Sequence, residues 1–497
     1  MELETFAMKA LLYMTLAFMF VLLFLVIMVI VMYVFDVTQT KHTIRRNYPV
    51  VGRFRYIFEH MGEFFRQYFF AMDREELPFN RAQRSWVYRA AKDVNRNIAF
   101  GSTRDINNDG TIIFLNSAFP TLSEDATTCT PLEIGPYCKK PYKANSFFNI
   151  SGMSYGALSK PAIQALSYGA LKANCWLNTG EGGLSKFHLQ SGCDIVMQIG
   201  TAKYGVRDEA GNLCDDKLRE RAANEQVKMF ELKMSQGAKP GKGGILPAHK
   251  VTPEIAKIRG IKVGEASISP NGHKDIRNVA DLLDMVNRIR DVTGKPVGFK
   301  AVLGETSWLD ELFELIKERG PESAPDFITI DSADGGTGAA PQALMDYMGL
   351  PVKETLPWLV SHLEGHGLRD RIRVIVSGKM ITPSKVAWAL CMGADFVVSA
   401  RGFMFALGCI QALQCNQNTC PTGITTHNPK LQRGLVSTQK SSRVANYHKL
   451  IEYDVGMIAH SCGVSDPRQL ERKHVHIVDK AKPLATKSVF THEEVGT

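Results

Sequence analysis

Two patterns of apolar and polar positions divide this chain. The first is a single long apolar block. Ala10 to Phe35 holds no charged residue and is dense in Leu, Val, Ile, Met and Phe. Its length of about 26 residues exceeds the roughly 20 that a helix needs to cross a bilayer. A secretory leader would have a shorter apolar core and a small-residue cleavage site, whereas this block ends in Tyr33-Val34-Phe35-Asp36. The pattern predicts an uncleaved, single-pass anchor. Its N-terminal flank carries Glu2, Glu4 and Lys9, and its C-terminal flank carries Lys41, Arg45, Arg46, Arg53 and Arg55. The bias of Lys and Arg toward the inner side of a membrane then places the later chain in the cytoplasm.

The second pattern begins near Phe147. Short apolar runs end in polar or Gly-rich loops, and helical periodicity follows. Phe148-Asn149-Ile150 leads into Ser151-Gly152-Met153-Ser154, and Cys175-Trp176-Leu177 into Asn178-Thr179-Gly180-Glu181. Runs ending at Gln198, Lys300, Ile330, Val376 and Val398 behave alike. Repeated strand–loop–helix units imply a parallel sheet. Polar residues at so many strand C-termini favour an α/β fold of the (β/α)8 barrel type, whose active site lies on that face. An open doubly wound sheet, with one switch point, is the alternative. The expected organisation is an anchor over 1–40, a helical segment over 41–116, a barrel over 117–440, and C-terminal helices and tail over 441–497. The 41–116 segment is rich in Arg, Phe and Tyr. It reads either as helices near a bilayer or as a helical layer on the barrel.

Composition narrows the function. The 497 residues are 45% apolar with a net charge of +9, enough for a large core and only modestly basic. No cluster of Lys and Arg interleaved with aromatics points to nucleic acid. Seven of the ten cysteines, Cys129, Cys138, Cys175, Cys193, Cys214, Cys391 and Cys462, are scattered, as in a reduced compartment. The other three form Cys409-x5-Cys415-x4-Cys420-Pro421. That spacing suits an iron–sulfur cluster, with three packed thiols as the plain alternative. Zinc usually takes four ligands, and His427 is the nearest candidate for a fourth.

The late loops Asp334-Gly335-Gly336-Thr337-Gly338, Ser377-Gly378-Lys379 and Ser399-Ala400-Arg401-Gly402 suit a phosphate. Small residues admit an anion to the backbone, and helix N-termini favour it. Gln236 to Gly244 is Gly-rich and cationic without Walker spacing. An anion-binding turn and a solvated basic loop both fit it.

Taken in order, Ser151 through Ser159, Asn178 through Gly183, Gln236 through Gly244, Ile330 through Pro341 and Cys409–Cys415–Cys420 with Pro421-Thr422-Gly423 resemble the FMN domain of glutamate synthases. The likeness covers about Asn149 to Pro429 and continues weakly to about Leu470. The whole chain resembles a short, membrane-anchored branch of FMN-binding glutamate synthase family proteins. The resemblance implies FMN over Met153 and Ser154, with Gln198, Lys233 and Lys300 in reach. Its phosphate would meet Gly335, Gly336, Thr337, Gly378, Ala400 and Arg401. A three-iron, four-sulfur (3Fe-4S) cluster would sit on Cys409, Cys415 and Cys420. Glu181, Lys239 and Arg259 would meet the substrate, with the two cations suited to the carboxylates of 2-oxoglutarate.

The implied reaction reduces 2-iminoglutarate, formed from 2-oxoglutarate and ammonia, to glutamate, with a separate electron donor such as ferredoxin. The chain departs from the large enzymes. It begins Met1-Glu2-Leu3 instead of with a nucleophilic Cys, so glutamine hydrolysis is not expected of it. It has no G-x-G-x-x-G motif for NAD(P)H after a strand, and Lys242 stands where the large enzymes usually carry Glu. Two other functions fit the same residues. One is a membrane dehydrogenase passing electrons from an amino or hydroxy acid to quinone, and the other is a non-catalytic redox sensor or scaffold.

Overall fold

The computed structural model describes residues 2–95, 97–127 and 129–480. They form two compact units, Met1–Ala82 and Gln83–Thr497.

The N-terminal unit is built on the helix Glu2–Thr38. It is long and apolar enough to cross a membrane by length and composition. Asp36, the acidic residue in its last turn, accepts hydrogen bonds from Arg53 Nε at 2.8 Å, Arg53 Nη2 at 2.9 Å and Val50 N at 2.9 Å. This pins the helix Gly52–Phe65 to the end of the apolar helix.

The second unit is an eight-stranded closed parallel barrel, so the open doubly wound sheet is excluded. In chain order its strands are β1 (Phe148–Ile150), β2 (Leu177–Asn178), β3 (Ile195–Ile199), β4 (Val227–Lys233), β5 (Val297–Ala301), β6 (Phe327–Asp331), β7 (Arg373–Ser377) and β8 (Phe396–Ser399). Each pairs with the next, and Val397 opposite Phe148 closes the ring. Seven of these strands are the predicted apolar runs. The eighth, β4, reads Val-Lys-Met-Phe-Glu-Leu-Lys, and its charges disguise it. Glu231 and Lys233 are nevertheless buried, at the strand end that forms the site.

The opposite end of the barrel is plugged. The hairpin Leu132–Ile134 with Tyr142–Ala144 packs Ile134, Tyr142 and Ala144 against Trp176, Phe327 and Phe396, at the N-terminal ends of three strands. Beside it the buried Asp326 pairs with Arg290 at 3.1 Å and Arg371 at 3.0 Å. Polar groups at this end therefore maintain the fold, and open polar groups collect at the other.

Residues 41–116 divide between the units. From Gln83 onward they belong with the barrel, where Trp86 meets Tyr447 edge-on at 6.1 Å. Ile112–Phe114 pairs with Val475–Ile477. The C-terminal helix Ser437–Ser461 lies along Lys160–Ala173. A Cβ on Gly169 would stand 2.3 Å from Val444 Cγ1, so glycine permits that close crossing.

Candidate active site

A cavity opens at the C-terminal ends of the strands. Its enclosed part measures about 180 Å3, and the cleft opens broadly to solvent above it.

The loops after β1 and β2 meet backbone to backbone. Gly180 has φ +63°, and a Cβ there would lie 2.6 Å from Ser154 N. Only glycine fits both the left-handed conformation and the contact. This sets Met153 and Ser154 into one wall of the cavity. Beneath them Glu231 of β4 accepts from Asn178 Nδ2 at 2.9 Å, Gln198 Nε2 at 2.6 Å and Thr329 Oγ1 at 2.7 Å. One buried carboxylate thus joins β2, β3, β4 and β6. With its amide nitrogen engaged, Gln198 keeps its carbonyl oxygen as an acceptor.

Four cations and two carboxylates crowd the centre. Lys233 Nζ lies 3.1 Å from Glu181 Oε1 and 2.8 Å from Gln236 Oε1. Lys300 Nζ lies 3.7 Å from Asp331 Oδ2, which also accepts from Gly237 N at 3.0 Å. Burial lowers the Lys233 pKa, and Glu181 opposes that. Burial likewise lowers Lys239, helped by repulsion from Lys233. Glu181 is pushed up by burial but held below the usual carboxylate range by Lys233, Lys239 and Arg259. It is therefore an anion near neutral pH. Gly200 and Gly244 make space for it, since a Cβ on Gly244 would stand 2.2 Å from Glu181 Oε1.

Arg259 is buried with Nη1 on Ser267 Oγ at 2.9 Å and its guanidinium 5.1 Å from the Tyr204 ring centroid. Burial lowers its pKa, and its Nε has no hydrogen-bond partner. Among the described residues neither Lys239 nor Arg259 has a carboxylate within ion-pair distance. A buried cation without a counter-charge is costly, and a ligand carboxylate would supply one.

The far wall fits a phosphate. Gly336, Thr337, Gly378, Ala400 and Arg401 all line it. Among the described residues the backbone N–H groups of Gly378, Lys379, Ala400 and Arg401 meet no protein acceptor. Such orphaned donors form an anion cradle. Gly378 has φ +112°, and a Cβ there would stand 2.2 Å from Ser332 Cβ. Arg401 passes behind Gly336 and donates through Nη2 to Thr337 O. Gly335 stands back from the cavity, with its N–H on Ser332 O at 2.8 Å. The structure therefore brings the predicted flavin and substrate residues to one cavity, with Gly335 behind its wall. These donors fit an FMN phosphate.

The three cysteines lie in the adjoining loop. Arg401 Nη1 approaches Cys415 Sγ at 3.5 Å, and its charge also acts on Cys409 and Cys420. Burial pushes the Cys409 thiol up to about 11. Cys420 is raised by burial but lowered on balance by hydrogen bonds from Thr422 and Thr425. Among the described residues no three ligating side chains are drawn into a metal-holding group. Three thiols beside buried cations still match the donor chemistry of an anionic iron–sulfur cluster. His427 is engaged elsewhere, with Nε2 2.8 Å from Gly156 O.

Sequence reasoning missed Lys250. It is buried, and its Nζ donates to Thr425 O at 2.8 Å, Cys415 O at 3.2 Å and Ala157 O at 3.3 Å. It thereby ties the cysteine loop to the loop after β1. Nothing in Ala248-His249-Lys250 marks it apart from a surface lysine. Glu231 was missed for a similar reason, as one charge within an unrecognised strand.

The comparisons agree with this geometry. Residues 115–465, more than half the chain, match the family model for the conserved region in glutamate synthase. The chain is 39% identical over 482 residues to the glutamate synthase large subunit-like protein YerD of Bacillus subtilis (strain 168), covering 89% of this chain and 91% of that protein. It is 33% identical over 323 residues to the archaeal glutamate synthase [NADPH] of Methanocaldococcus jannaschii, covering 65% of this chain and 60% of that one. The chain thus spans about three fifths of that protein's length. Among solved structures, monotopic membrane (S)-mandelate dehydrogenase aligns at 12% identity and a TM-score of 0.47, over 74% of this chain and 88% of that one. An overlap that low adds nothing to the barrel seen directly. The cavity, its loops and these matches together make the chain a member of the glutamate synthase family.

Proposed function

We propose that this protein carries out the synthase half-reaction of glutamate synthase, converting 2-oxoglutarate and ammonia through 2-iminoglutarate to L-glutamate. FMN, when bound, would supply hydride-transfer chemistry. The chain's own residues would do the rest. Gly378, Lys379, Ala400 and Arg401 would hold the cofactor phosphate through backbone N–H groups. Gln198, Lys233 and Lys300 would hold the flavin ring system, and the two lysines would favour negative charge on it. Arg259 and Lys239 each pair one substrate carboxylate. Glu181, kept anionic, accepts from the ammonium or iminium N–H and orients the nitrogen, so the structure favours positioning over proton donation.

The observation that supports this most is the pair of buried cations, Lys239 and Arg259, which have no carboxylate within ion-pair distance among the described residues and lie near an ionised Glu181. Cys409, Cys415 and Cys420 would hold a 3Fe-4S cluster, which would supply one-electron transfer from a separate donor such as ferredoxin. The apolar helix would anchor the protein as a single span with the barrel in the cytoplasm. The same helix favours one second reading, a dehydrogenase passing electrons to quinone. Anaerobic protein reconstituted with FMN and given a chemical reductant should form glutamate from 2-oxoglutarate and ammonia. Amino-acid oxidation with quinone analogues, in the absence of glutamate synthesis, would favour the second reading.

A further inference from the structure

We infer that the helix Gly52–Phe65 is a second membrane contact, lying in the plane of the bilayer surface with its apolar stripe among the acyl chains. This rests on reading Glu2–Thr38 as a bilayer span and is independent of the catalytic proposal.

Phe54, Ile57, Phe58, Met61 and Phe65 recur at the spacing of one helix face. At 3.6 residues per turn they fall within an arc of about 100°. Arg55 and Glu59 occupy the adjoining polar arc. All five side chains of the stripe are exposed. Phe54 is 55% exposed and Phe58 63%. The π-helical turn that follows, Arg66–Phe70, adds Phe69 and Phe70, each 74% exposed. A row of uncovered aromatics of this kind requires an occupant.

The occupant is indicated by position. The Asp36–Arg53 pair and the Val50 N–H to Asp36 bond fix the first turn of this helix against the last turn of the apolar helix. That turn is where a span would leave the hydrocarbon. Phe and Tyr side chains with intervening arginines suit the boundary between acyl chains and headgroups. Arg45 stacks on Tyr56 at 4.7 Å, and Arg45, Arg46, Arg55 and Arg66 give the segment a cationic character matched to lipid phosphates.

The test uses the full chain in nanodiscs of phosphatidylcholine and phosphatidylglycerol. An environment-sensitive fluorescent amino acid replaces Phe58 in one sample and Met19, within the span, in another. Lipids brominated just below the headgroup serve as quenchers, and lipids brominated near the chain ends serve as a deep reference. Position 58 should show blue-shifted emission quenched more by the shallow bromines, and position 19 should be quenched by the deep ones. Quenching at 19 without quenching at 58 would overturn the inference. Blue-shifted but unquenched emission at 58 would assign the stripe to a protein partner instead, and red-shifted emission would leave it in water. An unquenched position 19 would overturn the span and this inference together, leaving the enzymatic reading untouched.

Discussion

Replacing Glu231 with Gln tests the central hydrogen-bond hub. Its Oε1 accepts from Asn178 and Gln198, and its Oε2 from Thr329. A glutamine of the same shape can still accept the first two bonds, but without a formal charge. Hydrogen bonds to charged groups contribute about 1.5–3 kcal/mol and neutral ones about 0.5–1.5. Two weakened bonds therefore cost about 2 kcal/mol. The introduced amide nitrogen would face Thr329 Oγ1, whose hydroxyl must then turn to accept, so the total becomes about 2–3 kcal/mol. Glu231→Leu is a poorer test. Three buried donors left unmet at about 1–3 kcal/mol each approach the whole stability of a typical domain, about 5–15 kcal/mol. Urea unfolding of Glu231→Gln should show the loss without a change in slope. FMN titration should show weaker binding, because the Gln198 amide loses its fixed orientation. A stability within about 0.5 kcal/mol of the parent, the ordinary scatter of a silent surface change, together with unchanged FMN affinity, would refute the hub.

Three further outcomes follow from the site and its surroundings. Arg259→Lys removes the planar fork, and loss of one charge-assisted bond of about 1.5–3 kcal/mol should raise KM for the dicarboxylate roughly ten- to hundredfold. FMN affinity, measured by titration, should stay unchanged. Gly180→Ala forces a side chain into φ +63° and 2.6 Å from Ser154 N, so FMN binding should weaken and the melting temperature fall. The left-handed backbone alone costs about 1–2 kcal/mol. Lys295 is buried, donates to Asn224 O at 3.0 Å, and is lowered to about 8 by burial. Between about pH 8 and its ordinary value near 10.4 the unfolded chain binds more protons at this site, so its contribution to stability rises with pH. In Lys295→Met that part of the rise should vanish from unfolding curves taken across the window.

The legibility of the sequence followed burial on two sides. Strands such as Phe327–Asp331 bury every residue and announce themselves as apolar runs. β4 is buried everywhere except at Lys228 but carries Glu231 and Lys233, because its C-terminal end builds the site. A charged residue inside a barrel strand cannot be told from a surface one without knowing what faces it. The Gly-rich loops were readable because left-handed turns and close backbone contacts need glycine, as at Gly180 and Gly378. Lys250 was not readable, since its three carbonyl partners come from loops more than 90 residues away in sequence. The plug hairpin 132–144 escaped notice because two three-residue strands carry too short an alternation to register.

Isotopically labelled ammonium distinguishes the synthase reaction from every alternative. Protein reconstituted anaerobically with FMN and its iron–sulfur cluster, supplied with 2-oxoglutarate and a low-potential reductant, should produce glutamate carrying the label, detected by mass spectrometry. Apoprotein should produce none, and Arg259→Gln should produce little at the same substrate concentration. Flavin-loaded parent protein that forms no labelled glutamate would contradict the account.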